Sequence, residues 1–206
     1  WNVLNSRIRQ AGMSIIEIMV VIGIIAILLA AAAPNFTVWL QSSQIRTSSD
    51  SVLAGMQLAR AEAVRRNVPI RFQFVTTLGA DCALDVAGTN WVISVNDPTN
   101  QCNTEPSDTQ PDPPPVPLDP LIKQRRSSAD GSANVTVTST VSAVTFTPLG
   151  QASSAATVDF ANPVGGACSP GGPMRCMRVV LSPGGQARMC DPARVSTAAA
   201  PDPQAC

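Results

Sequence analysis

With 206 residues, and fourteen Lys and Arg balanced by fourteen Asp and Glu, the chain has room for one ordinary domain and an appendage. Its zero net charge selects neither nucleic acid nor an anionic surface as a partner. There is no His and no Tyr, so the commonest general base and the commonest metal ligand are missing, and the six Cys form no C-x-x-C pair. Beside an apolar N-terminal segment, such cysteines point to disulfides made outside the cytoplasm.

In chain order the first element is QAGMSIIEIMVVIGIIAILLAAAAP, residues 10–34. From Met13 to Ala33 there are 21 residues, of which only Glu17 is charged. As a helix that run would span about 30 Å, the thickness of a bilayer's hydrocarbon core. A secretory signal peptide would use Arg7 and Arg9 as its charged start and Ala30–Ala33 as its cleavage site. Glu17 argues against that reading and against a plain anchor, because a carboxylate in the apolar middle costs about 2–3 kcal/mol or more. Cleavage between Gly12 and Met13 would make the carboxylate useful. It frees an α-amino group four residues before Glu17, and the two can pair within one subunit or between neighbours.

This segment resembles the N-terminus of type IV pilins and type II secretion pseudopilins. The resemblance implies that a prepilin peptidase cuts after Gly12 and that Met13 becomes the methylated first residue. It makes Glu17 the glutamate that sets assembly register and Pro34 the helix-kinking proline. Met13 departs from the phenylalanine usual in the family, and the leader, residues 1–12, opens on Trp1 rather than Met, which leaves its true start open.

From Asn35 to Asn67 there is no Pro, and Ile45, Val52, Met56, Ala59 and Ala63 recur at helical spacing on one face. Asn67-Val68-Pro69 should stop the helix. The expectation is one long helix: residues 13–34 in the membrane and residues 35–67 an amphipathic continuation laid on a globular domain. LAGMQLARAEAVRRNVPIRF resembles the matching helix and first strand of FimT/FimU minor pilins and GspH-type pseudopilins. Arg60, Arg65 and Arg66 read as a solvated helix end with cations near its C-terminal dipole rather than as a nucleic-acid patch.

Residues 68–206 change to short alternating runs. Strands are expected at Ile70–Phe74, Trp91–Val95, Val135–Val137, Ala143–Thr147, Thr157–Phe160, Met177–Leu181 and Gln186–Met189. One helix followed by these runs gives an α+β domain, a pilin-like fold with antiparallel sheets on the long helix. Between Ala80 and Pro120 lie seven acidic residues and no basic one, and seven of the sixteen residues 105–120 are proline. That segment reads as an extended loop outside any sheet. In MRVVLSPGGQARM, residues 177–189, a Pro183-Gly184-Gly185 loop sets Leu181 opposite Ala187 and Val179 opposite Met189. Met177, Val179, Leu181, Ala187 and Met189 then share an apolar face, with Arg178, Gln186 and Arg188 on the other.

Six cysteines allow fifteen pairings, and the sequence does not choose among them. Cys82 and Cys102 flank one expected strand and are the first pair to favour. In the hairpin register Cys176 and Cys190 are diagonal, about 7 Å or more apart, which turns the remainder toward Cys168–Cys176 and Cys190–Cys206. A metal role has no His and no short Cys spacing to rest on.

No phosphate-cradling loop and no G-x-S-x-G turn occur, so neither catalysis nor a cofactor is expected. The resemblance implies a structural, disulfide-stapled subunit, anchored in the inner membrane with its globular domain in the periplasm and later part of a pilus at the cell surface. Its partners would be prepilin peptidase and other minor and major pilins, and its role the initiation of pilus assembly at or near the tip. Two alternatives stand beside it. One is DNA uptake in natural transformation: some FimT-like proteins carry G-R-x-R, here Gly185-Gln186-Ala187-Arg188, with Arg178 and Arg188 as possible phosphate contacts. The other is a GspH-like minor pseudopilin of a type II secretion system.

Overall fold

The computed structural model describes residues 14–107, 120–130, 133–198 and 200–206, except the side chains of residues 31–35. The expected cleavage and methylation at Gly12 and Met13, the kink at Pro34 and most of the proline-rich loop fall outside what is described. The chain divides into two compact units, Trp1–Thr37 and Val38–Cys206.

Helix α1 runs over Ile15–Arg66. In the first unit its opening turn is closed by the Ser14 carbonyl, which accepts from the amides of Glu17 at 3.1 Å and Ile18 at 3.2 Å. Every described side chain from residue 14 to 30 is exposed, and the apolar ones go all the way round rather than forming a stripe. Among the described residues no helix is long and apolar enough to cross a membrane.

In the second unit the helix is a different object. Ile45, Val52, Met56, Ala59 and Ala63 are buried, as their spacing requires, and form one side of the core. A Cβ on Gly55 would lie 2.8 Å from the Phe72 ring and 3.1 Å from Trp91, so the missing side chain lets the helix rest directly on the sheet. The helix ends at Arg66. Asn67 follows in the left-handed region at φ 55°, a conformation Asn tolerates, and Pro69 cannot continue the helix.

Two four-stranded antiparallel sheets pack on this part of α1. The strands are β1 (Ile70–Val75), β2 (Asn90–Ser94), β3 (Ile122–Arg126), β4 (Thr136–Ser139), β5 (Ala143–Phe146), β6 (Ala156–Ala161), β7 (Met177–Leu181) and β8 (Ala187–Cys190). Their spatial orders are β3-β2-β1-β5 and β4-β6-β7-β8. This is the α+β, antiparallel, disulfide-stapled architecture expected from the sequence, with one strand more among the described residues. β3 went unread because only Ile122 is buried, while Lys123, Gln124, Arg125 and Arg126 are partly exposed and hide any alternation. Charged residues are typical of such an edge strand.

The first sheet is buried on both faces. Ile70, Phe72 and Phe74 point to the helix, Phe72 meeting Phe74 edge-on with ring centroids 5.2 Å apart. On the other face Val75, Val92 and Ile122 form a second, smaller core around the Cys82–Cys102 bridge. Gln73 is also fully buried: its amide donates to Ser94 Oγ at 2.9 Å, while its carbonyl oxygen has no partner. In the second sheet Leu181 faces Ala187 and Val179 faces Met189, the register read from the sequence. Gly185 closes that hairpin at φ 76°, donating its amide to the Ser182 carbonyl at 2.9 Å.

The disulfides join Cys82 to Cys102, Cys168 to Cys176 and Cys190 to Cys206, with Cα separations of 6.0, 5.4 and 5.1 Å. The last fastens the segment ending at Cys206 beside β8, where the Asp191 amide also donates to the Gln204 carbonyl at 2.7 Å.

Candidate functional site

Two sets of residues carry the functional expectations: the glutamate in the first turn of α1 and the arginines of the second sheet. Glu17 sits where the free amides of a helix N-terminus favour a negative charge. Its helical neighbours Ile15, Ile16, Met19 and Val20 are all exposed apolar residues. A lone carboxylate in a wholly apolar surface suits that surface to being covered only if something supplies a cation to this position.

The arginines have a different setting. Arg178 on β7 stands opposite Asp159 on β6, and its Nε and Nη2 donate to the two carboxylate oxygens at 2.6 and 3.1 Å. The Asp159 hydrogen bond raises the Arg178 pKa further above its ordinary value. Arg188 does not join it in an open patch. It donates through Nη1 to the Ala205 carbonyl at 3.2 Å and through Nη2 to the Cys206 carbonyl at 3.3 Å. Arg175 and Arg194 share the buried carboxylate of Asp191, and Arg194 also donates to Asp202 at 2.8 Å. The backbone amide of Gln204, and then Arg194, hold Asp202 below its usual carboxylate range.

At the helix end Arg65 and Arg66 both converge on Glu62, at 2.8 and 2.6 Å. The Arg65 hydrogen bond is the main cause of a lowered Glu62 pKa. Arg60 instead crosses to the Gly150 carbonyl at 2.9 Å and pins the turn after β5. Arg60 thus fastens the helix to that turn instead of standing in solvent as expected, whereas Arg65 and Arg66 meet Glu62 on their own helix.

Sequence reading missed Asp159 as the partner of Arg178, although once β6 and β7 are paired the two are forced to face each other. It also missed the buried Gln73–Ser94 pair, because alternation with Arg71 marks Gln73 only as polar. Among the described residues no group of His, Cys, Asp and Glu is placed to hold a metal ion.

The family described as type II transport protein GspH matches residues 48–185, and the prokaryotic N-terminal methylation motif matches residues 7–33. Two crystal structures of the type IV minor pilin FimU of Pseudomonas aeruginosa are similar to the chain. One is 15% identical over 70% of this chain and 90% of that one, with a TM-score of 0.44. The second, from another crystal form, is 16% identical over 71% and 88%, with a TM-score of 0.45. No curated protein matches.

Proposed function

Because this chain belongs to the family described as type II transport protein GspH and carries a prokaryotic N-terminal methylation motif, we propose that it is a minor, non-catalytic subunit of a type IV pilus, acting in initiation at or near the tip. The observation that carries this reading is the helix over residues 15–30: apolar on every side, exposed throughout, and bearing one carboxylate in its first turn. In the proposed sequence of events a prepilin peptidase cuts after Gly12 and Met13 is N-methylated. The protein then waits in the inner membrane, its disulfide-bonded unit in the periplasm, until the helix leaves lipid for a bundle of neighbouring pilin helices. Glu17 fixes axial register there, since only a correctly placed neighbour offers it an amine, and a slipped subunit leaves a buried charge unpaired.

The match to the type II transport protein GspH family gives weight to a second reading, a minor pseudopilin of a type II secretion system, in which the same helix would do the same work. Deleting the gene separates the two: loss of surface pili supports the first, and loss of protein secretion with normal piliation supports the second. DNA capture has less behind it, because Arg178, Arg188 and Arg194 all make bonds to the protein's own oxygens.

The direct test of the shared premise is mass spectrometry of the membrane-extracted protein, which should begin at a methylated Met13. Glu17→Val should still be cut and remain in the membrane, yet be largely missing from sheared fibres. Normal incorporation of that variant overturns the register argument.

A further inference from the structure

A groove of about 440 Å³ opens in the second unit between α1 and the ends of β7 and β8. Met177 and Met189, both half-buried, and the 64% exposed Trp39 give it an apolar and aromatic lining. Arg46 and Arg175 also line it, with side chains 73% and 61% exposed. The carboxylates near these two arginines hold them loosely: Asp50 is 3.9 Å from Arg46, and Asp191, 3.4 Å from Arg175, is shared with Arg194. An aromatic wall, soft thioethers and two exposed guanidinium groups make a receptor for a chain that is apolar, extended and acidic.

The sequence contains a stretch of matching composition. Residues 108–119, DTQPDPPPVPLD, hold five prolines, a valine, a leucine and three aspartates, with no basic residue. Proline-rich segments lose little conformational freedom on binding and commonly dock in aromatic-lined grooves. We propose that the Trp39–Met189 groove of one copy receives residues 108–119 of a second copy, with prolines against Trp39 and the methionines and aspartates against Arg46 and Arg175. The charge pattern supports this direction, because the groove's exposed charges are cationic and the segment's are all anionic. The contact goes beyond the fibre reading and does not depend on it, since it would form between two copies in detergent as well as in an assembly.

The first test is fluorescence anisotropy with a labelled synthetic peptide of residues 107–120, titrated onto the full chain in detergent micelles. Saturable binding is expected at low salt, weaker at moderate salt because the ion pairs are exposed. Arg46→Glu with Arg175→Glu should weaken it by about tenfold. A peptide carrying Asp112→Lys and Asp119→Lys should restore binding to that variant, which separates recognition from damage to the fold. Absence of saturable binding at low salt, or equal binding by the charge-reversed protein, overturns the proposal. A photo-crosslinking residue at Met189, in a mixture of isotopically light and heavy full chains, identifies the occupant. Mixed-label adducts on residues 108–119 are expected. Adducts within one label only, or on another segment or protein, overturn the second-copy assignment.

Discussion

Ile22 and Ile45 are the same residue on the same helix, yet the first is 60% exposed and the second shows no surface at all. Around Ile45 the apolar positions keep to one face, which the two sheets cover, while Arg46 and Asp50 stay in solvent. Around Ile22 every direction is apolar, and no single covering face could satisfy it. A stripe can be buried by the protein's own sheets. An all-round apolar surface calls for lipid or other helices on every side. The comparison therefore separates residues that hold the fold from residues that the proposed function needs.

Paired substitutions can break that separation. Phe72→Ala removes a fully buried ring that lies beside Trp91 under Gly55 and should cost about 3–5 kcal/mol in denaturant unfolding of the full chain in detergent. Ile22→Ala also deletes apolar bulk, about half as much, and should leave the same unfolding midpoint unmoved while reducing recovery in sheared fibres. Equal destabilisation by both would end the distinction.

The disulfides sharpen the contrast, since all three lie in the second unit. Replacing Cys190 and Cys206 together by Ser opens a loop with a sequence separation of 16 and should cost about 3 kcal/mol, read by the same unfolding curve. Cleavage after Gly12 in that double variant should be unchanged, which blotting for the processed form would check.

The smallest expected effect concerns Glu62, near the end of α1 in the second unit. Glu62 is held below its usual value of 4.5 by its bonds to Arg65 and Arg66. A lowered folded-state value means that its stabilisation is present above pH 4.5 and is lost as pH falls through the folded value. For an ion pair at a helix end the contribution is below about 1 kcal/mol. Unfolding measured from pH 7 down to pH 3 should show this loss in the native protein and not in Glu62→Gln.

What could be read from the residues alone was whatever strong periodicity or turn chemistry imposes. The spacing from Ile45 to Ala63 gave the buried face because a helix repeats every 3.6 residues whatever lies opposite it. The PGG turn set the β7–β8 register, and that register made a direct Cys176–Cys190 bridge poor; the structure joins the remaining cysteines in the favoured pairs. β3 was hidden because an edge strand needs only one ladder of hydrogen bonds and little apolar burial. The Arg178–Asp159 fork and the second core behind β1 were hidden for another reason. Both depend on which strands become neighbours, and no local pattern in β1, β6 or β7 encodes that. The candidate site was legible at Glu17, where a carboxylate breaks an apolar run, and not in the groove beside Trp39, which exists only after folding.

The absent side chain at Gly55 has a mechanical consequence. With the helix backbone seated against the rings of Phe72 and Trp91, a tug on α1 meets tightly interlocked aromatic edges instead of a compliant layer of aliphatic chains. Load is then handed to the first sheet as shear across β1 and β2, the strands whose outer side is braced by the Cys82–Cys102 link.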